Sequence, residues 1–569
     1  MKSYAGSQSR GAAKAAAMLL ACAFLVPAFQ SQTPVPKTAK SAASGDQQAQ
    51  QKPKASIEGV VIDAVLGTPV KDANLLLASD SGTGTPSSTK TDEKGHFLFQ
   101  NLDEGRYVLV GDHPRYARQS YGSRNGLLGG TFLSVVPGQS ISDITFKLQQ
   151  NAVASGKVVD ADGDPVAGVM VAALKGMYLH GKRQFMPVGT AMTNDVGEYR
   201  LANLATGRYM ISASLMNLGA ANKPAGSEPE QSFVTTYFPN ATDATGAGPV
   251  MVPPGGEIGG MDIRMVRLKS VRVKGRVIGA PADQEVTVRL VPKDAGVMGL
   301  ITGRNATVKK QDGTFEIAGA TAGSYTLRAG DATGLKAMGS VLPLEVGDKP
   351  IEGVALEIAA AIDQAGTLAV EDSDLKPVAG IPLKGTRVLL ESASGMILIP
   401  PNVPVAEDGT FMFKELPAEK YFVRVMNGPP NCYVSSVRLG PQEMGDDGLN
   451  LGLAGTGRIE IKLRQGGALV DGVIRGEDGG PMAGVTVALV PASRKYLLYQ
   501  STFTDQKGAF RFRNVTPGDY KVLAWEEVEP NAFQDPEFLK PFEGRAEAIS
   551  LKDNEHKSIT TLKTIPRGQ

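Results

Sequence analysis

Cysteine, histidine and tryptophan are scarce: two Cys, four His and one Trp in 569 residues. Cys22 lies in an N-terminal apolar run. If that run is cleaved, Cys432 is the only thiol left, so no intramolecular disulfide forms and stability must come from packing. Burial as an inert thiol is the expected state of Cys432. The histidines lack metal-site spacing. His113 is followed by Pro114-Arg115-Tyr116 and His180 by Gly181-Lys182-Arg183, so neither begins a His-x-x-Glu zinc pair. His96 falls in a hairpin and is expected to face solvent, and His556 stands alone near the C-terminus. Charge of one sign is also missing, with 59 Lys+Arg against 58 Asp+Glu and no long basic run. That excludes the basic footprint of a nucleic-acid binder. There is no Gly-x-Ser-x-Gly elbow, no P-loop and no amphipathic helix longer than three turns.

Turn formers are abundant instead, with 67 Gly and 36 Pro, a composition that breaks helices and favours an all-β chain. The N-terminus carries an export signal. Lys2, Arg10 and Lys14 precede the uncharged run Ala15 to Val26, and Val26-Pro27-Ala28 fits signal-peptidase cleavage after residue 28. The run is too short for a comfortable membrane span, so no transmembrane segment is expected after cleavage. Leu19-Leu20-Ala21-Cys22 resembles a lipobox, but the apolar run continues past Cys22, which argues against lipidation there. Residues 29–54 are Gln, Ser, Ala, Lys and Pro with little apolar content, a disordered tether.

From Ser56 onward the chain repeats itself. Five times a Gly, one residue and an aromatic recur: Gly95-His96-Phe97, Gly197-Glu198-Tyr199, Gly313-Thr314-Phe315, Gly409-Thr410-Phe411 and Gly508-Ala509-Phe510. Ten residues after each aromatic stands a tyrosine: Tyr107, Tyr209, Tyr325, Tyr421 and Tyr520. Midway lies Leu102, Leu204, Ala320, Leu416 or Val515. An Asp or Asn opens the turn, Gly supplies positive φ, and the aromatics pin a strand–turn–strand unit to a core. Copies lie 102, 116, 96 and 99 residues apart. Short strands with turns at this spacing indicate a β-sandwich per copy. The expected fold is all-β: tandem Ig-like or transthyretin-like antiparallel sandwiches, as beads on a string. Their expected bounds are 55–150, 151–268, 269–360, 361–465 and 466–566.

A first hairpin precedes each motif. Gly156-Lys157-Val158-Val159-Asp160 leads through Gly163-Asp164-Pro165-Val166 to Val169-Met170-Val171. Together with Asn194 to Tyr209 this resembles the carboxypeptidase regulatory-like domain, a transthyretin-like β-sandwich. So do Ser56 to Leu77 with Asp92 to Tyr107, and Gly472 to Val487 with Asp505 to Tyr520. The third copy departs from it, because Gly275-Arg276-Val277 lacks the Gly-x-Pro turn. The fourth departs before Tyr421, where Glu419-Lys420 stands in place of the Gly-x pair of the others. The resemblance implies a carbohydrate-binding-like fold without any sugar specificity.

No catalytic residue, metal site or cofactor is expected. Asp160-Ala161-Asp162-Gly163-Asp164 resembles a calcium loop, but no distal bidentate acid follows, and a hairpin turn is the expected reading. Loop aromatics are the candidates for stacking on a sugar: Tyr116, Tyr121, Tyr237, Phe238, Tyr496, Tyr499 and Trp525. The expected function is a non-catalytic binding or scaffold protein of the cell envelope. It would be exported to the periplasm, the outer cell surface or the medium. A polysaccharide or an envelope protein is the expected partner, and a hydrolase with an unfamiliar site is the remaining alternative.

Overall fold

Each repeat forms the same hairpin, and the first copy shows how. In a computed structural model, Asp92 Oδ1 accepts the backbone N–H of Lys94 and of His96 at 2.9 and 2.8 Å. The chain then passes through Gly95 at φ 74°. A Cβ there would lie 2.4 Å from the Val61 carbonyl oxygen, so glycine is required twice over. The five following aromatics, Phe97, Tyr199, Phe315, Phe411 and Phe510, are all buried. So are the five midway residues, Leu102, Leu204, Ala320, Leu416 and Val515. The residue before each midway position is left-handed: Asn101, Asn203, Gly319, Glu415 and Asn514 have φ between 51° and 73°. Each tyrosine then donates its hydroxyl to the carbonyl four residues back. The acceptors are Asp103, Ala205, Thr321, Pro417 and Thr516, at 2.5–3.0 Å. This is a tyrosine corner repeated five times.

The structure describes residues 53–567 except 81–84, 124–128, 216–230, 282, 294, 332–336, 359–360, 395–399 and 452–456. The signal 1–28, most of the tether and Cys22 therefore lie outside the described residues. Ten sheets form five sandwiches. In the first, one sheet holds His96–Leu102, Ala55–Asp63 and Ser140–Leu148. The other holds Ser87–Lys90, Asn74–Ser79, Gly105–His113 and Tyr116–Ser120. Five separate hydrophobic clusters fill the five interiors.

The sheets are mixed rather than purely antiparallel. Ala55–Asp63 pairs antiparallel with the aromatic strand and parallel with Ser140–Leu148. The third, fourth and fifth copies repeat this with Arg267–Ile278 beside Ile351–Glu357, Ile362–Glu371 beside Ile459–Gln465, and Ala468–Val473 beside His556–Ile559. A parallel pair needs a long crossover, and here the whole domain is the crossover. The x-Pro turn also reaches further than its Gly-x-Pro form. Isolated bridges join Ile62 to Pro69, Val159 to Pro165, Arg475 to Pro481 and, in the fourth copy, Glu371 to Pro377.

The sandwiches are tandem in sequence but are not separate beads. Residues 54–569 form one compact unit. Arg106 of the first sandwich donates to Thr502 Oγ1 and the Phe503 carbonyl of the fifth, at 3.1 and 3.2 Å. Gln506 of the fifth exchanges two 2.9 Å hydrogen bonds with the Ser134 backbone of the first. Asn431 of the fourth bonds Asn514 and Asn554 of the fifth, and Tyr433 bonds Asp553. The repeated aromatics and corner tyrosines make none of these contacts, so counting repeats does not find them. Among the described residues no helix is long and apolar enough to cross a membrane.

Candidate functional site: a junction at the fifth sandwich

The second sandwich has the longest hairpin described. Val169–Leu179 and Lys182–Met192 run 11 residues each, paired from Met170↔Met192 to Leu179↔Lys182. The tip turns through His180 and Gly181, at φ 51° and 71°. It enters a space between the fourth and fifth sandwiches. The Tyr178 N–H donates to the Pro530 carbonyl at 2.8 Å, and Asn531 Nδ2 donates back to the Tyr178 carbonyl at 3.3 Å. Arg183 grips Glu529 through Nε at 2.8 Å and Nη2 at 2.5 Å. Gly176 lets Glu529 approach, since a Cβ there would sit 2.8 Å from its carboxylate.

At the tip, His180 lies 4.7 Å from the Phe422 ring and 4.6 Å from the Tyr496 ring, centroid to centroid. Glu391 of the fourth sandwich is the charged centre. Tyr496 donates its hydroxyl to Glu391 at 3.1 Å, Arg424 Nε pairs with it at 2.8 Å, and His180 Nε2 stands 3.8 Å away. Burial raises the carboxyl pKa, but the neighbouring His180, the Arg424 charge and the Tyr496 hydrogen bond outweigh it and hold Glu391 below its ordinary value. Burial pushes the Tyr496 hydroxyl up to about 12. The site joins three sandwiches by packing and charge.

The seven aromatics expected to face solvent do not form one surface. Tyr116, Tyr237, Tyr499 and Trp525 are buried, while Tyr121, Phe238 and Tyr496 are half-buried. Trp525, 1% exposed, packs among Phe533, Phe538 and Phe542, which the short helical segment 532–545 lays over it. Tyr499 stacks at the edge of that cluster against Phe533. The Tyr116 hydroxyl donates to Asp63 at 3.0 Å. Tyr121 packs edge-on against Phe146 in the first core. Tyr237 joins Met170, Leu174 and Met298 in a cluster between the second and third sandwiches, and Phe238 packs on the second core. Burial corrects the expectation of an open stacking platform, because a sugar needs an exposed ring face. Only Tyr496 belongs to the junction. Its partners His180, Glu391, Phe422 and Arg424 carry no motif, and the one sequence signal is the unusual length of the hairpin ending at His180.

The acidic loop at Asp160 is a turn. Asp160 Oδ1 accepts the N–H groups of Asp162 and Asp164, and Oδ2 accepts from Arg267 at 3.1 Å. Among the described residues no group of three or more His, Cys, Asp or Glu is placed to hold a metal. Cys432 is a buried free thiol, and burial raises its pKa.

The carboxypeptidase regulatory-like domain family matches residues 56–149 and 470–528. No curated protein sequence matches the chain. Several solved structures do, at low identity. The Bacillus anthracis TIE protein is 13% identical over 54% of this chain, at a TM-score of 0.16, and this chain covers 51% of it, about half its length. A minor pilin of Streptococcus agalactiae is 13% identical over 37% of this chain and 95% of its own, at 0.23. Two B repeats of the Staphylococcus aureus collagen-binding protein are 13% identical over 73% of this chain and 100% of their own, at 0.14. Scores this low carry no argument about function. This all-β chain is a tandem array of β-sandwiches in which one region of the first and one of the fifth match the carboxypeptidase regulatory-like domain family.

Proposed function

We propose that the chain is an exported, non-catalytic scaffold of the cell envelope whose sandwiches are docked into one body that presents a continuous binding surface to an envelope protein. We assign the sandwiches to 55–150, 151–268, 269–360, 361–465 and 466–566, behind a signal at 1–28 and a tether at 29–54. One observation carries this reading: the fifth sandwich is bonded to the first, second and fourth by contacts that span 83 to 405 residues of sequence. A string of independent binding modules has no need of such contacts. Inter-domain interfaces that are small leave domains free to move, and several together restrain them. Burial of the candidate aromatics weighs against sugar stacking as the main activity.

The test is affinity capture from envelope fractions with the full chain as bait, beside an activity screen on glycosides, esters and peptides. The reading expects a protein retained in stoichiometric amount and no turnover. Capture of polysaccharide alone, reduced by Tyr237→Ala or Trp525→Ala in protein that still folds, would replace it with the sugar-binding reading. Turnover of any substrate class would end the non-catalytic one.

A further inference from the structure

Two arginines stand opposite each other on the third sandwich. Arg289, in the strand Thr287–Pro292, is the register partner of Arg328, in the strand Gly323–Gly330. Their neighbours Val288, Leu290, Leu327 and Ala329 fill the third core, so by alternation both guanidinium groups point out of the sandwich. They do not reach solvent: Arg289 is 7% exposed and Arg328 is 2% exposed. Like charges opposite one another on a sheet repel, and burial sharpens the cost. Burial lowers the pKa of both groups.

The two differ in compensation. Asp331 acts on Arg289. On Arg328 the carboxylate that acts is Glu419 of the fourth sandwich, and no hydrogen bond joins the two. Among the described residues, Nε, Nη1 and Nη2 of Arg328 all lack a hydrogen-bond partner, and so does Oε1 of Glu419. Glu419 Oε2 is held by the Ser394 hydroxyl at 3.2 Å. Burial raises the Glu419 carboxyl, which weakens it further as a counter-ion. A guanidinium carries five N–H donors in a planar fork suited to an oxyanion. A buried fork with none of them matched is rare in a folded chain.

We propose that the junction of the third and fourth sandwiches binds a small oxyanion of the phosphate or sulfate class on the Arg328 guanidinium. The ion matches the free fork, lies against the Arg289–Arg328 pair and neutralises their repulsion. Glu419 then faces the ion as a like charge, so its removal favours binding.

Titration calorimetry of the full chain with inorganic phosphate at fixed ionic strength tests this. One site per chain is expected, with sulfate competing. Arg328→Met should weaken phosphate binding at least tenfold. Arg328→Lys, which keeps the charge and loses the fork, should fall between. Glu419→Gln should tighten it several-fold. Absence of phosphate binding to the wild-type chain overturns the proposal, as does an affinity unchanged in Arg328→Met. If Arg328→Met fails to fold, Glu419→Gln decides: an affinity unchanged or weakened means that Arg328 and Glu419 are a water-bridged pair and that no anion belongs there.

Discussion

The fourth and fifth sandwiches close the same two turns with different residues. In the fifth, the x-Pro turn passes through Gly479 at φ 76°; in the fourth, Leu375 takes its place at φ 64°. Before the aromatic strand, Thr504 of the fifth donates its hydroxyl to the Met482 carbonyl at 2.7 Å and accepts the Val485 N–H at 2.9 Å. Asp505 Oδ1 then accepts the N–H groups of Lys507 and Ala509, both at 2.9 Å. The fourth has Val405 and Ala406 at those positions. Its turn acid has moved two residues on, to Asp408, which binds the Thr410 N–H at 2.9 Å and its hydroxyl at 2.7 Å. The first and second copies follow the fifth, with Thr91 and Thr193. The third follows the fourth, with Asp312. The aromatic, the midway residue and the tyrosine corner are common to all. The core staple thus constrains the repeat, and the turn chemistry that feeds it has two solutions. The copies matched by the domain family use the first solution, although the second copy uses it as well.

Five substitutions separate what is shared from what differs, in falling order of effect. Phe411→Ala and Phe510→Ala remove equivalent buried rings and should each destabilise their own sandwich by about 3–5 kcal/mol. Phe97→Ala should cost the first sandwich the same, about 3–5 kcal/mol. Denaturant melts that differ strongly between the two rings would break the idea of a common staple. Thr504→Val leaves a buried N–H and a carbonyl unmatched and should cost about 1–3 kcal/mol, whereas the fourth sandwich already has Val405 there and compensates elsewhere. Leu375→Gly relieves a left-handed leucine that is 56% exposed and should stabilise the fourth sandwich by up to about 1 kcal/mol. A loss of stability there would mean that Leu375 makes contacts of its own.

The smallest effect is on pH. The Thr410 hydroxyl and N–H hold Asp408 below its ordinary 3.8. A carboxyl depressed on folding adds stability above its unfolded value, and that stability is lost as pH falls through the folded value. An NMR titration of the Asp408 carboxyl carbon should therefore show a midpoint below 3.8, and Thr410→Val should raise it towards that value. An unchanged midpoint would place the turn's stability elsewhere.

How much was legible follows from the same comparison. Phe411 and Tyr421 were readable as core because their offset recurs five times. The fourth x-Pro turn was not, because Leu375 hides a conformation that glycine usually announces. Trp525 differs for another reason: the segment 532–545 that covers it has no counterpart among the described residues of the other copies. Glu391 and His180 carry no repeat and no motif. They meet only because one hairpin is long enough to reach two other sandwiches.

The central claim, that the sandwiches are docked through the fifth into one body, is tested most directly by a distance measurement between spin labels. Ser87→Cys in the first sandwich and Asp519→Cys in the fifth are exposed positions, and the buried Cys432 can be changed to Ala. A single narrow distance distribution, broadened when Arg106→Ala and Gln506→Ala remove the first-to-fifth contacts, is the expected result. A broad distribution in the parent chain, unaffected by those changes, would mean that the sandwiches move as independent beads and would contradict the account.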